Sequence, residues 1–188
     1  MTTSTFYKNY IQTLEAAQLC LDQGLDTPSL ILVFTMIDSF AWAASDKKRN
    51  QNRIQFESWL ENWVYPYSEM SCTPAELYAA RCGVLHTLTS KADLHSKEDI
   101  REIAYAWGAA KLSTLQNSAR IINRSDIAFI HINELLDAVK EGIFRTIEAS
   151  KTDQDLAEKL AHAASLHFSK MPKQILETLV ANQAEIWE

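Results

Sequence analysis

The segment LILVFTMIDSFAWAA, Leu30–Ala44, decides the fold. It is apolar nearly all round, and a helix of that kind needs neighbours on most of its sides. At about 15 residues, with Asp38 in its middle, it is too short and too polar to span a bilayer of roughly 30 Å. The expected element is therefore a buried central helix, around which the rest of the chain must assemble.

The neighbours follow from periodicity. Thr5–Leu21 repeats apolar residues at helical spacing and stops before Gly24, and LDTPS turns the chain into the central helix. After the polar connection SDKKRNQN, Ile54–Val64 carries Phe56, Trp59, Leu60 and Trp63 along one side, and Pro66 ends it. Thr73-Pro74-Ala75-Glu76 offers a cap, a proline at the first helical position and a glutamate at the third, so a helix runs from there to about Leu88 or Thr89. Downstream, REIAYAWG alternates with Ile103, Tyr105 and Trp107 on one side, and IAFIHI, Ile127–Ile132, is the other strand candidate. A short helix near Lys111–Ile122 joins them. Asn133 is expected to cap a long helix with the stripe Leu136, Val139, Ile143 and Ile147. Thr152 opens another helix, and Pro172 starts the last. The predicted fold is a mostly α helical bundle with a small two-stranded β-ribbon. Residues 1–188 read as one domain, with a bundle core over 5–90 and the ribbon and C-terminal helices over 97–188.

Composition agrees with a compact helical body. The 188 residues are 47% hydrophobic and 22% charged, with only four glycines and four prolines. A formal charge of −6 argues against a high-affinity, non-specific nucleic-acid binder and leaves room for an enzyme that touches RNA briefly. Three cysteines without paired spacing, and no charged start followed by a long apolar run, point to a cytoplasmic protein with no membrane association.

The helix after Thr73 contains YAARCGVLHTLTS, Tyr78–Ser90. At about 100° per residue, Arg81 points along the centre of an apolar arc formed by Leu77, Tyr78, Val84, Leu85 and Leu88. His86 lies about 140° away, beside Ala79, Cys82 and Gly83, a face of small residues open to a packed helix, a partner subunit or a substrate. On this geometry Arg81 and His86 converge only where a site straddles the helix edge or is shared by two copies across a twofold axis. Arg81 needs an anionic or polar partner, because an unpaired charge in an apolar setting is costly. Asp38 has the complementary need. Asp38 pairing with or orienting Arg81 is the economical arrangement, against a loop-bonded Asp38 and an Arg81 that snorkels to water.

Arg81-Cys82-Gly83-Val84-Leu85-His86, late in a helical segment that follows a buried apolar helix, resembles the HEPN superfamily. Members of that family are helical bundles with an R-x4–6-H motif, and many are dimeric, metal-independent endoribonucleases. The resemblance covers Phe6–Ser90 and implies that Arg81 and His86 are catalytic, with the RNA 2′-hydroxyl as nucleophile. His86 then transfers protons near neutrality, and Arg81 binds the scissile phosphate. Asp38, Cys82 and Thr87 are expected in supporting or orienting roles. Cys82 stands where active members frequently carry a polar residue, often asparagine. The resemblance also implies a homodimer, an RNA substrate, and an antitoxin or regulatory protein as partner. A non-catalytic HEPN-like assembly module and a small-molecule-binding helical protein with a pocket beside Asp38 and Cys82 are the alternative readings.

The basic run Lys47, Lys48, Arg49 and Arg53 is the first place to expect contacts to RNA phosphates, against its ordinary reading as a solvated connection. No HExxH, paired-cysteine or glycine-rich phosphate motif is present, so neither a metal nor a cofactor is expected. His95 reads as a loop residue, His131 as the open face of a strand, and His162 and His167 as structural. Gly142 reads as a tolerated helix glycine.

Overall fold

The computed structural model describes residues 3–46, 51–89 and 100–166. Lys47, Lys48, Arg49, His95, His167 and the helix expected from Pro172 lie outside the described residues.

The bundle forms around the apolar segment as its composition demands. We label the helices α1 (Thr3–Asp22), α2 (Asp26–Ala43), α3 (Asn52–Trp63) and α4 (Pro74–Thr87), with a 3-10 turn at Tyr65–Tyr67 between α3 and α4. The strands β1 (Glu102–Ala106) and β2 (Ile127–His131) flank α5 (Leu112–Ile121), and α6 (Ile132–Ala149) and α7 (Gln154–Leu166) follow. Helix α2 packs against α1, α3, α4, α6 and α7. Leu30, Val33, Phe34, Ile37 and Phe40 are buried among Phe6, Tyr10, Phe56, Leu60, Leu77, Leu136 and Val139. Among the described residues, no helix is long and apolar enough to cross a membrane.

Helix α2 starts at Asp26, earlier than the expected turn over LDTPS allows. Pro28 falls in its first turn, where backbone N–H groups have no intrahelical acceptor, so its missing donor costs nothing there. Two hydroxyls then pin α2 to α1. Buried Ser29 donates to the Ala17 carbonyl at 2.9 Å, and Ser39 shares a 2.7 Å hydrogen bond with the Tyr10 hydroxyl.

The two strands pair in parallel, Glu102 opposite Ile127 through Ala106 opposite His131. Parallel strands need a crossover connection, usually a helix, and α5 supplies it. The expected ribbon is thus a β-α-β unit resting on α4 and α6. Ile103 and Ala106 are buried on β1, but Trp107 lies past the strand end and is 54% exposed, outside the expected inward face. His131, rather than Asn133, caps α6: its Nδ1 accepts from the Asn133 N–H at 3.3 Å. Asp153, rather than Thr152, caps α7 by accepting from the Leu156 N–H at 3.1 Å.

Gly142 is a close-approach position rather than a merely tolerated glycine. A Cβ there would meet Val64 Cγ2 at 2.7 Å, the Trp63 carbonyl at 3.1 Å and Trp59 Cη2 at 3.2 Å. The approach lets Trp59 Nε1 donate to Thr146 Oγ1 at 3.1 Å, while that hydroxyl donates back to the Gly142 carbonyl at 2.8 Å.

Candidate active site

Helix α4 begins with the expected capping box. The Glu76 N–H donates to Thr73 Oγ1 at 3.2 Å, the Thr73 N–H donates to Glu76 Oε2 at 2.7 Å, and Pro74 occupies the first helical position. With the start held, Arg81 lands opposite α2. Its Nε donates to Asp38 Oδ2 at 2.7 Å, and Nη2 lies 2.5 Å from the same oxygen. Asp38 is therefore the partner of Arg81, with the two side chains 24% and 16% exposed.

Arg81 and His86 meet within one chain, across the helix edge, which is the first of the two arrangements that the angular spacing left open. Arg81 Nη1 is 3.3 Å from His86 Nε2. The 140° separation describes where the Cβ atoms point, and the long arginine stem carries the guanidinium round the helix. A guanidinium can only donate, so Nε2 accepts at this contact and the ring proton sits on Nδ1. His86 is exposed. Arg81 Nη1 also approaches Cys82 Sγ at 3.8 Å, a weak contact.

Of the alternatives for the small-residue face, packing within the chain holds for Ala79 and Gly83, which are buried, while Cys82 is half-buried and His86 exposed. One further expectation about this helix is corrected. Leu88 does not extend the apolar arc. The helix ends at Thr87, Leu88 takes a left-handed backbone with φ of 54°, and its side chain is 65% exposed.

The carboxylate is only partly committed. Arg81 Nε and Nη2 both approach Asp38 Oδ2, and among the described residues no donor reaches Asp38 Oδ1. Burial pushes the Asp38 carboxyl above its ordinary value, and the bond and charge of Arg81 and the nearby His86 pull it only part of the way back. Burial works against the charged form of Arg81, but the Asp38 bond outweighs it and the guanidinium is held more firmly protonated.

Arg53 joins the site from α3. Its guanidinium carbon lies 5.7 Å from the Tyr78 ring centroid, and that of Arg81 lies 5.8 Å from the same centroid. Phe56 packs edge-on against this ring, and Arg53 also pairs with Glu57 at 2.7 Å. Thr87 is committed to the helix end. It donates to the Gly83 carbonyl at 2.9 Å, so its 2.7 Å contact with Thr89 is one in which Thr89 donates. A cavity of about 310 Å³ adjoins the pair and is lined by Asp38, Trp42, Asn52, Gln55 and Arg81, but not by Cys82.

Sequence reasoning passed over Gln55. It is four residues before buried Trp59, so it shares the inward face of α3, and a polar residue on that face was the available signal. Trp42 and Asn52 carried no such signal. Of the other described histidines, His162 is exposed, and His131 is engaged by Asn133 and, through Nε2, by the Gly108 carbonyl at 3.2 Å. Among the described residues no group of three or more His, Cys, Asp or Glu side chains is placed to hold a metal. No family model, curated protein or solved structure matches the chain.

Proposed function

We propose that this chain is a HEPN-like, metal-independent endoribonuclease that cleaves RNA with Arg81 and His86. The observation that carries the reading is the 3.3 Å contact between Arg81 Nη1 and His86 Nε2, at an exposed helix end with Asp38 holding the arginine from behind. His86 is a neutral acceptor there, which suits a general base. Asp38 fixes the orientation of Arg81 through Nε and Nη2, which leaves the Nη1 edge beside His86 to meet a phosphate oxygen.

In the reaction, Arg81 Nη1 turns from His86 to the phosphate, the freed His86 Nε2 takes the proton of an RNA 2′-hydroxyl, and the 2′-oxygen attacks the adjacent phosphorus. The P–O5′ bond breaks, and a proton passes to the departing 5′-oxygen. The products are a 2′,3′-cyclic phosphate and a 5′-hydroxyl. Attacking and leaving oxygens lie roughly in line on opposite sides of phosphorus, so one imidazole reaches both poorly. A homodimer, placing a second His86 across a twofold axis, would supply the second proton-transfer group. A cytoplasmic setting and an antitoxin or other regulatory protein as partner belong to the same reading. Arg53 would add a phosphate contact beside Tyr78.

Incubation with mixed RNAs in excess chelator tests the proposal. Cleavage with cyclic-phosphate ends is expected, and His86→Ala should slow it by at least about 100-fold, the scale of general acid–base catalysis. Intact RNA, or cleavage by His86→Ala as fast as by the unaltered protein, overturns it. Ligand binding without cleavage is the second reading, favoured by the cavity of about 310 Å³ beside Asp38.

A further inference from the structure

We infer that the outer edge of β2 is a docking site for an extended, acidic segment of a partner protein, which joins β2 as a third strand and sets a carboxylate against Arg120 and Arg124. The inference stands apart from the endoribonuclease reading. The Glu102 N–H donates to the Asp126 carbonyl at 2.9 Å, and Glu102 stands opposite Ile127. In a parallel ladder, that register turns the backbone groups of Ala128 towards β1 and those of Ile127 and Phe129 away from it. Ser71 Oγ donates to the Phe129 carbonyl from this outer side at 3.2 Å. Among the described residues, the Ile127 N–H, the Ile127 C=O and the Phe129 N–H have no hydrogen-bond partner. Beside them lies a cavity of about 310 Å³, lined by Gln116, Ala119 and Arg120 of α5, by Ser71 and Arg101, and by β2 itself.

The charge around this groove says what kind of strand fits. The chain has a formal charge of −6, yet Arg101, Arg120 and Arg124 all line the cavity. Arg101 is committed to Glu76 and to the Ser71 carbonyl. Arg124 spends Nε and Nη2 on Asp126 and keeps Nη1. The exposed Arg120 side chain makes no hydrogen bond or ion pair among the described residues. Cations at a strand edge oppose pairing with another such edge and admit a strand that carries carboxylates. Phosphates of a nucleic acid would also answer the arginines, but a phosphodiester only accepts and would leave the Ile127 carbonyl unmatched. A peptide strand carries N–H and C=O groups at the repeat of the edge it joins. Ile121 and Ile122, at the end of α5 next to Arg120, are 81% and 67% exposed and give a protein partner apolar surface to cover.

Fluorescence polarisation on the full chain tests the inference, with labelled decapeptides that alternate valine with glutamate or valine with lysine. The glutamate peptide should bind at least about tenfold tighter than the lysine peptide, and Arg120→Glu, at an exposed position, should weaken its binding at least about tenfold. Bound glutamate peptide should also slow hydrogen exchange at the Ile127 and Phe129 N–H groups, which a charge contact alone would not do. No binding, equal affinity for the two peptides, undiminished affinity in the Arg120→Glu protein, or binding without protection of these amides overturns the inference. An RNA decamer that binds where the peptide does not, and loses affinity with Arg120→Glu, would assign the groove to nucleic acid. Protection of the same amides in a concentration-dependent dimer without peptide would assign the edge to a second copy. Either result overturns the acidic partner strand.

Discussion

Two carboxylate–arginine pairs are built on α4, one in its first turn and one at its middle, and they are finished differently. Glu76 has both oxygens filled. Arg101 Nε donates to Oε1 at 2.6 Å and Arg101 Nη2 to Oε2 at 2.9 Å, while the Thr73 N–H takes a further place on Oε2. Arg101 also donates to the Ser71 carbonyl at 2.9 Å. Burial alone would push the Glu76 carboxyl up, but the Arg101 bonds and the Thr73 amide overcome it and hold it below its ordinary value. Around it, Tyr65 shares a 3.3 Å contact with Cys72, whose thiol burial pushes up to about 11. This is a closed cluster that ties β1 to the start of α4.

The Asp38–Arg81 pair has the same ingredients and is left open. One carboxylate oxygen has no hydrogen bond among the described residues, the carboxyl sits above its ordinary value, and a cavity adjoins it. A fully satisfied pair gives the fold a fixed joint. An unfinished one keeps acceptor capacity for a ligand, at some expense in stability.

The largest expected effect comes from breaking the closed pair. Glu76→Ala removes a cap and two charge-assisted bonds, and because Arg101 is partly exposed the loss should be about 2–3 kcal/mol. Urea denaturation checks this, and a loss below about 1 kcal/mol would erase the distinction between the pairs. A packing contact away from both pairs sets the scale. Gly142→Ala gains helix propensity of up to about 1 kcal/mol but drives a methyl into Val64 and the Trp63 carbonyl, so a net loss of about 1–2 kcal/mol is expected. A stabilised variant would mean that α3 and α6 can part at little cost.

The smallest effect sharpens the contrast. Asp38→Asn should change stability by less than about 1 kcal/mol at neutral pH, because the fold already disfavours the ionised carboxylate and an asparagine oxygen can still accept from Arg81. The two carboxyls also differ in the sign of their pH dependence. Glu76, lowered from an ordinary value of 4.5, adds stability that is present above that value and lost as pH falls through its lower folded value. Asp38, raised from 3.8, adds stability that is present below that value and lost as pH rises through its higher folded value. Glu76→Gln should therefore flatten the acid limb of stability, and Asp38→Asn should remove a loss on raising pH from that limb. Chemical denaturation between pH 3 and 7 reads both ~, and equal slopes in the two variants would overturn the contrast.

Much of the architecture was legible in the chain itself. The apolar run around Phe34 and Phe40 has no solvent-facing side, so a buried central helix follows from composition alone. Thr73 and Glu76 carry their capping geometry in a four-residue pattern, and the isolated charges of Asp38 and Arg81 announce each other because neither is tolerable alone in an apolar setting. Periodicity, however, reports the direction of Cβ atoms. It could not tell that the arginine stem would bring its guanidinium to His86, or that Arg53 and Arg81 would share the Tyr78 ring. Nor could local pattern reveal Arg101 as the partner of Glu76, the close approach at Gly142, or Gln55 at the wall of the cavity beside Asp38. Each of these depends on where two elements distant in sequence come to rest, and on side chains long enough to act beyond the face from which they start.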